Sequence, residues 1–296
     1  MEPRQVWSGM IPSADDGVEL DSFVVGPPAG RGDPAQPIFV LAHPYGKMGG
    51  SRDLMIGTAV RLAQRGATSV VFDMRGVGRS TGWSTLTHVS EVQDARGICR
   101  WLRVNAADAA GAGEGDVVDA SASAALDGVV CRRDEEGRPL LAVLGSSAGS
   151  CVVGSAMDEP GVVAGVFSGY VFGWWASILF GSHFAAVKAA PQPKCFVQGS
   201  DDGFTTPDQL RQVARECAGT AELVFVDGVG HFELESPAWN DRVADVAIDF
   251  VRRSLDGKGG DGSQGSAAGD EDESDADGSG DEADEEESEA EGPAAA

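Results

Sequence analysis

Short apolar runs alternate along this chain with stretches of helical spacing, and that alternation restricts the fold more than any other feature. Residues 18–25, 37–42, 68–73, 140–145, 162–167, 194–198 and 223–226 are β-branched or apolar and read as buried strands. Between them, 54–64 places Leu54, Met55, Thr58, Leu62 and Ala63 on one side of a helix, and 89–104 does the same with Val92, Ile98, Trp101 and Leu102. Residues 207–218 and 239–255 complete the set, the latter through Val243, Val246, Ala247, Phe250 and Val251. Strands separated by helices of this length imply a mostly parallel sheet with helices on both faces. In such sheets ligands bind beyond the carboxyl ends of the strands, so the chemistry should lie just after each run.

Charge divides the chain unevenly. The formal net charge is −25, of which residues 257–296 hold −14 and residues 106–138 hold −5. Residues 257–296 contain no Leu, Ile, Val, Phe or Trp, so nothing in them offsets the entropy of ordering, and a disordered acidic tail is expected. Residues 106–138, rich in Ala, Gly and acids, read as a flexible insertion in an otherwise single domain spanning 1–256. With no basic surplus to displace phosphate counterions, nucleic-acid binding is not expected, nor is docking on anionic lipid. Residues 161–187 carry no charged side chain, but five glycines, three serines and His183 lower their hydropathy. They parse as a strand followed by a helix, so no membrane span is expected. Five scattered cysteines without a C-x-x-C pair suggest buried thiols in a reducing compartment, with no structural metal. No apolar h-region follows Met1, so the expected location is cytoplasmic.

Two G-x-S-x-G pentapeptides occur, Gly78–Gly82 around Ser80 and Gly145–Gly149 around Ser147. A nucleophile elbow needs a strand that runs straight into a helix through a strained turn flanked by small residues. Ser147 has that setting, between the run 140–145 and the small-residue stretch 150–156. Ser80 lies seven residues past its strand end and no helix follows it. A serine hydroxyl needs a base, and the base an orienting carboxylate. Among four histidines, His231 follows the last strand in a Gly-rich loop and is the candidate base. His43, before Pro44, reads as turn-shaping, His88 as a surface or cap residue, and His183 as a packed or pocket-lining one. Asp201 and Asp202 both follow the run 194–198 and both remain candidates for the acid. The backbone N–H of Ala148 is the first oxyanion donor, and the loop 43–50 should provide the second, with the N–H of Tyr45 the candidate. A dinucleotide-binding reading of Gly76-Val77-Gly78 fails because no helix starts at Arg79.

The set His43-Pro44-Tyr45-Gly46, Asp73-Met74-Arg75-Gly76-Val77-Gly78-Arg79-Ser80, Gly145–Gly149, Gly199–Thr205 and Gly230-His231-Phe232 resembles the α/β-hydrolase superfamily. It looks closest to plant and algal hydrolase-like proteins, related to the branch with dienelactone-hydrolase-like oxyanion loops. The resemblance covers roughly residues 15–255 without the insertion, and its chain order is Ser147, Asp202, His231. It implies an α/β-hydrolase fold, favours Asp202 as the acid because the family's acid usually stands three residues after a Gly, and implies a serine esterase without cofactor or metal. His43-Pro44 departs from the His-Gly of many members. The superfamily also includes non-catalytic scaffolds, so a silent binding protein is the alternative.

Fifty-five positions separate Ser147 from Asp202, too few for a large cap domain once a strand and a helix are placed. Phe172, Trp174 and Trp175 are the candidate walls of a pocket for a small-molecule ester. Ser274, Ser279 and Ser288 each precede an acid by three positions and fit an acidophilic kinase. For the tail itself a solubilising role is expected, with a basic protein partner as the alternative.

Overall fold

The computed structural model describes residues 2–15, 17–108, 111, 113 and 117–257, without the side chains of 174–177. The chain divides into a unit spanning Met1–Gly260 and a second spanning Asp261–Ala296. The acidic tail from residue 258, including Ser274, Ser279 and Ser288, lies outside the described residues.

Eight strands form one sheet: β1 (Arg4–Pro12), β2 (Glu19–Gly26), β3 (Ile38–Ala42), β4 (Ser69–Phe72), β5 (Leu141–Ser146), β6 (Val162–Ser168), β7 (Lys194–Gly199) and β8 (Ala221–Val226). Their order is β1-β2-β4-β3-β5-β6-β7-β8. β2 is antiparallel to both β1 and β4, and every pairing from β4 through β8 is parallel. The seven runs read as strands fall on β2 through β8. β1 was not foreseen, because only Trp7 and Ile11 of its nine residues are buried and its alternation is correspondingly faint.

Among the described residues the α-helices are α1 (Asp53–Gln64), α2 (Glu91–Asn105), α3 (Ala120–Leu126), α4 (Ala148–Gly154), α5 (Trp174–Ala189), α6 (Pro207–Glu216), α7 (His231–Leu234) and α8 (Asn240–Leu255). Side chains leave the strands alternately to the two faces. Ile38, Val40, Val70, Phe72 and Val143 join one core with Val92, Ile98 and Leu102 of α2 and Cys151 and Val152 of α4. Phe39, Leu41, Val71, Ala142 and Leu144 join the opposite core with Met55, Ala59 and Leu62 of α1 and Val243, Ala247 and Val251 of α8. That double coverage explains why the central strands are continuously apolar. Emptying a fully buried site such as Leu41 to Ala would cost about 2–5 kcal/mol, a large part of any domain's net stability.

The described part of 106–138, expected to be a flexible insertion, makes contacts with the rest of the domain. Asp119 caps α3 by accepting from the N–H groups of Ser121 (2.9 Å) and Ala122 (3.1 Å). Ala122 and Leu126 are buried in the core beside α2, and the Arg132 N–H donates to the Gln36 carbonyl at 2.7 Å. A composition dominated by Ala and Ser hid these few apolar anchors. Residues 161–187 do form a strand followed by a helix, β6 and α5. Among the described residues no helix is long and apolar enough to cross a membrane.

Candidate active site

Because β3 through β8 are parallel, the residues that follow them emerge at one rim of the sheet. β3 leads into His43, β4 into Asp73, β5 into Ser147, β7 into Asp202 and β8 into the loop before His231. The turn after β5 is the tightest. Ser147 has φ 52° and ψ −122°, one of two non-glycine residues with positive φ among those described. A β-carbon there costs about 1–3 kcal/mol and is retained only where the surroundings fix it. They do: the Ser147 N–H donates to the Ser168 carbonyl at 2.8 Å, and the Ser150 hydroxyl donates to the Gly145 carbonyl at 2.8 Å. Gly145 and Gly149 are required by contact. A Cβ on Gly149 would collide with the carbonyl oxygens of Ala42 and His43, and one on Gly145 with the backbone of Ser150.

This elbow presents the Ser147 Oγ 2.8 Å from Nε2 of His231, and the other ring nitrogen, Nδ1, lies 2.6 Å from Oδ2 of Asp202. A carboxylate accepts only, so Nδ1–H donates to Asp202, and Nε2 is left as the acceptor for the Ser147 hydroxyl. The second oxygen of Asp202 accepts from the N–H groups of Phe204 (2.7 Å) and Thr205 (3.0 Å), which fixes the carboxylate. All three side chains are buried. Asp201 is exposed, and its Oδ1 accepts from the Ser200 hydroxyl at 3.0 Å.

The other candidates occupy structural positions. The Ser80 hydroxyl donates to the Asp73 carbonyl (2.7 Å) and accepts from the Asp21 N–H (2.8 Å), tying the 73–80 loop to β2. Arg75 in that loop is held by Asp94, with Nη2 2.7 Å and Nε 3.0 Å from Oδ1. His43 Nδ1–H donates to the Pro44 carbonyl (2.6 Å) and Nε2 accepts from the Met74 N–H (3.0 Å), and burial pushes its pKa down to about 4. His88, expected at the surface or as a cap, is instead buried, its ring 4.7 Å from that of Tyr45 and 5.7 Å from that of Phe180. Burial, then the neighbouring His43, His183 and Lys47, push its pKa down to about 3. His183 receives the Ser155 hydroxyl on Nδ1 (2.7 Å) and donates from Nε2 to the Thr87 carbonyl (2.7 Å).

Ser147, Ala148 and His231 open onto a pocket of about 260 Å³ walled by Pro44, Tyr45, Met48, Leu54, Val171, Leu179, Phe180, Phe204 and Phe232. The backbone of Tyr45 begins a single 3-10 turn, Gly46–Met48, whose Met48 N–H donates back to the Tyr45 carbonyl at 3.0 Å. Ala148 is the first residue of α4, so its N–H has no acceptor within the helix. Phe172 is not a pocket wall: its ring stacks on Tyr170 at 4.0 Å and packs on Phe184 and Phe196, as an aromatic filler of the core. The side chains of Trp174 and Trp175 lie outside the described residues. The walls that sequence reasoning missed come instead from later in α5 and from Phe204 and Phe232, two residues after Asp202 and one after His231.

One polar residue of the pocket was also missed. Glu235 stands four residues after His231, at the end of the short α7, and its Oε1 lies 3.8 Å from His231 Nε2. Burial raises its pKa, offset in part by the His231 ring and the nearby Ser147 hydroxyl. The signal was the i, i+4 spacing, which sets both side chains on one helical face once α7 is known to exist. Among the described residues no group of three or more His, Cys, Asp or Glu side chains is arranged to hold a metal ion.

The family model for X-Pro dipeptidyl-peptidase (S15 family) matches residues 16–137, a stretch that ends before Ser147. No curated protein matches this chain. Solved structures do. A serine hydrolase homologue from Coxiella burnetii superposes with a TM-score of 0.58 at 18% identity, covering 83% of this chain and 96% of its own. A lidless serine hydrolase from Xanthomonas campestris gives 0.59 at 21% identity, with 83% and 94% covered. An esterase from Pyrococcus furiosus gives 0.58 at 16% identity, with 84% and 91% covered. With a mostly parallel sheet, helices on both faces and its site at the carboxyl rim, the chain has the α/β-hydrolase fold without a large cap.

Proposed function

We propose that this protein is a serine hydrolase that cleaves a carboxylic ester through an acyl-enzyme intermediate. One observation carries the reading: a strained serine whose hydroxyl lies 2.8 Å from an imidazole that is itself 2.6 Å from a buried aspartate. In this reading Ser147 Oγ attacks the ester carbonyl carbon as its proton passes to His231 Nε2. Asp202 holds the ring in the tautomer that leaves Nε2 free and stabilises the imidazolium once it forms. The amides of Ala148 and Tyr45 receive the developing oxyanion; Pro44 has no N–H, so Tyr45 is the first residue of the pocket-lining loop able to donate. The proton on Nε2 then passes to the departing alcohol oxygen as the carbonyl re-forms. Water completes the cycle by the same steps in reverse. The apolar walls favour an uncharged acyl or alcohol group. Five free cysteines favour a reducing, cytoplasmic setting.

Amide cleavage at the same residues is the second reading, favoured by the S15 match over 16–137. The two share their nucleophile and differ in substrate. A fluorophosphonate probe should label the purified protein, with labelling lost in Ser147→Ala and kept in Ser80→Ala. Labelling that survives Ser147→Ala, or none at all, would leave a silent scaffold as the better account. Faster turnover of an X-Pro anilide than of p-nitrophenyl esters would replace the ester by the amide.

A further inference from the structure

The pocket beside Ser147 contains a carboxylate that the triad does not use. Glu235 lines the same cavity as Ser147 and His231, and its carboxylate lies near the Ser147 hydroxyl, yet its Oε1 is buried without a hydrogen bond of proper geometry. No Lys or Arg lines that cavity, so nothing in its wall neutralises the charge. An unsatisfied buried acceptor is destabilising, more so when charged, and such a group in a native structure calls for a reason. Its position identifies the use. Oε1 stands 3.8 Å from Nε2 of His231, the atom that must take a proton from water when an acyl-enzyme is hydrolysed. Two acceptors at that separation suit the two hydrogens of one water molecule. With ordinary hydrogen bonds of about 2.8 Å to each, the angle at the water oxygen is roughly 85°, close enough to the angle between its O–H bonds for both to form.

We propose that Glu235 is the water-positioning residue of deacylation: Oε1 and His231 Nε2 together hold the hydrolytic water with its lone pair free to attack the acyl carbon. The inference rests on the serine-hydrolase reading and extends it to the second half of the reaction. The water oxygen forms a bond to the acyl carbonyl carbon while one of its protons moves to Nε2. The carbonyl then re-forms, the bond from carbon to Ser147 Oγ breaks, and the proton on Nε2 returns to that oxygen. The other hydrogen stays bonded to the water oxygen, donated in a hydrogen bond to Glu235 Oε1, and leaves as the hydroxyl hydrogen of the carboxylic acid. Glu235 also faces the positive charge that the ring carries during the step. It has no partner task in acylation, where the substrate's alcohol oxygen fills the place of the water. Its removal should therefore slow one half-reaction selectively.

The test uses p-nitrophenyl acetate with the full-length protein, Glu235→Leu, which removes the acceptor at similar bulk, and Glu235→Gln, which keeps an acceptor oxygen without the charge. With this activated leaving group kcat reports deacylation and kcat/KM reports acylation. In Glu235→Leu, kcat should fall at least thirtyfold with KM falling in step, and an acetyl adduct should accumulate on Ser147 by mass spectrometry. Glu235→Gln should recover part of kcat. A kcat that is unchanged, or a kcat/KM that falls as far as kcat without adduct, overturns the assignment. Fluorophosphonate labelling of Ser147 separates the levels of failure. Labelling without turnover of the acetate ester by the wild-type protein defeats the water-positioning role alone, whereas absence of labelling defeats the serine-hydrolase reading with it.

Discussion

Replacing Asp202 with Asn tests how the site sets its tautomer. The carboxylate uses its two oxygens differently: Oδ1 accepts from the N–H groups of Phe204 and Thr205, while Oδ2 receives Nδ1–H of His231. An Asn at this position must keep its oxygen on the two backbone donors, which places its NH₂ group against Nδ1. The ring then accepts at Nδ1 and carries its hydrogen on Nε2, facing the Ser147 oxygen as a donor, and no base remains. Turning the amide over restores the ring but leaves two backbone N–H groups unpaired, at about 1–3 kcal/mol each, roughly 2–6 kcal/mol together. At 1.36 kcal/mol per decade, turnover should fall between about thirtyfold and about 25,000-fold, a range that spans the roughly ten-thousandfold loss expected when a triad Asp becomes Asn. The assay is kcat/KM on p-nitrophenyl acetate, paired with a thermal melt to show that the variant is folded. Asp201→Asn, altering an exposed carboxylate, should stay within about twofold by the same mechanism's silence there. A folded Asp202→Asn protein that keeps a third or more of its activity would refute the argument.

Three further outcomes follow from the same geometry. Ser147→Gly should be more stable than Ser147→Ala by about 1 kcal/mol, a melting difference of roughly 2–4 °C, because Ala keeps a β-carbon at φ 52°; equal melting points would show that the elbow is unstrained. Gly149→Ala should lose about 3 kcal/mol or more in urea unfolding, since its Cβ meets two carbonyl oxygens of β3 and its loop rather than a movable side chain. Acid should destabilise the fold through its buried imidazoles. His43 keeps a pKa of about 4, so below pH 6.5 the unfolded chain binds a proton that the folded one refuses. Unfolding free energy should fall by about 3 kcal/mol from this residue between pH 6.5 and pH 4, with His88 extending the loss towards pH 3, and a flat profile over that range would contradict the buried neutral ring.

Much of the architecture was legible because parallel strands covered on both faces must be apolar throughout, as 38–42 and 141–145 are. β1 was not, since an antiparallel edge strand needs only Trp7 and Ile11 inside. α3 was obscured by its Ala-Ser composition, and α7 is a single turn. The three residues brought together at the rim were readable from where they stand relative to strand ends. The choice of Asp202 over Asp201 rested on the resemblance, because from the residues alone it depends on the direction a loop takes over two residues. Phe172 was misplaced for a related reason: sequence position put it near the elbow, but its ring turns onto Tyr170 and away from the cavity. Glu235 escaped notice because its relation to His231 exists only once a short helix aligns them.

The order in which the rim is assembled has a consequence for how the protein is made. The serine arrives at residue 147 on the central strand, whereas the carboxylate and the imidazole follow at 202 and 231, after β7 and β8. A growing chain therefore carries Ser147 for some eighty residues before its partner imidazole at 231 exists. Under the proposed function, the hydroxyl stays as inert as that of any other serine until the last strand has added to the sheet and the loop behind it has closed.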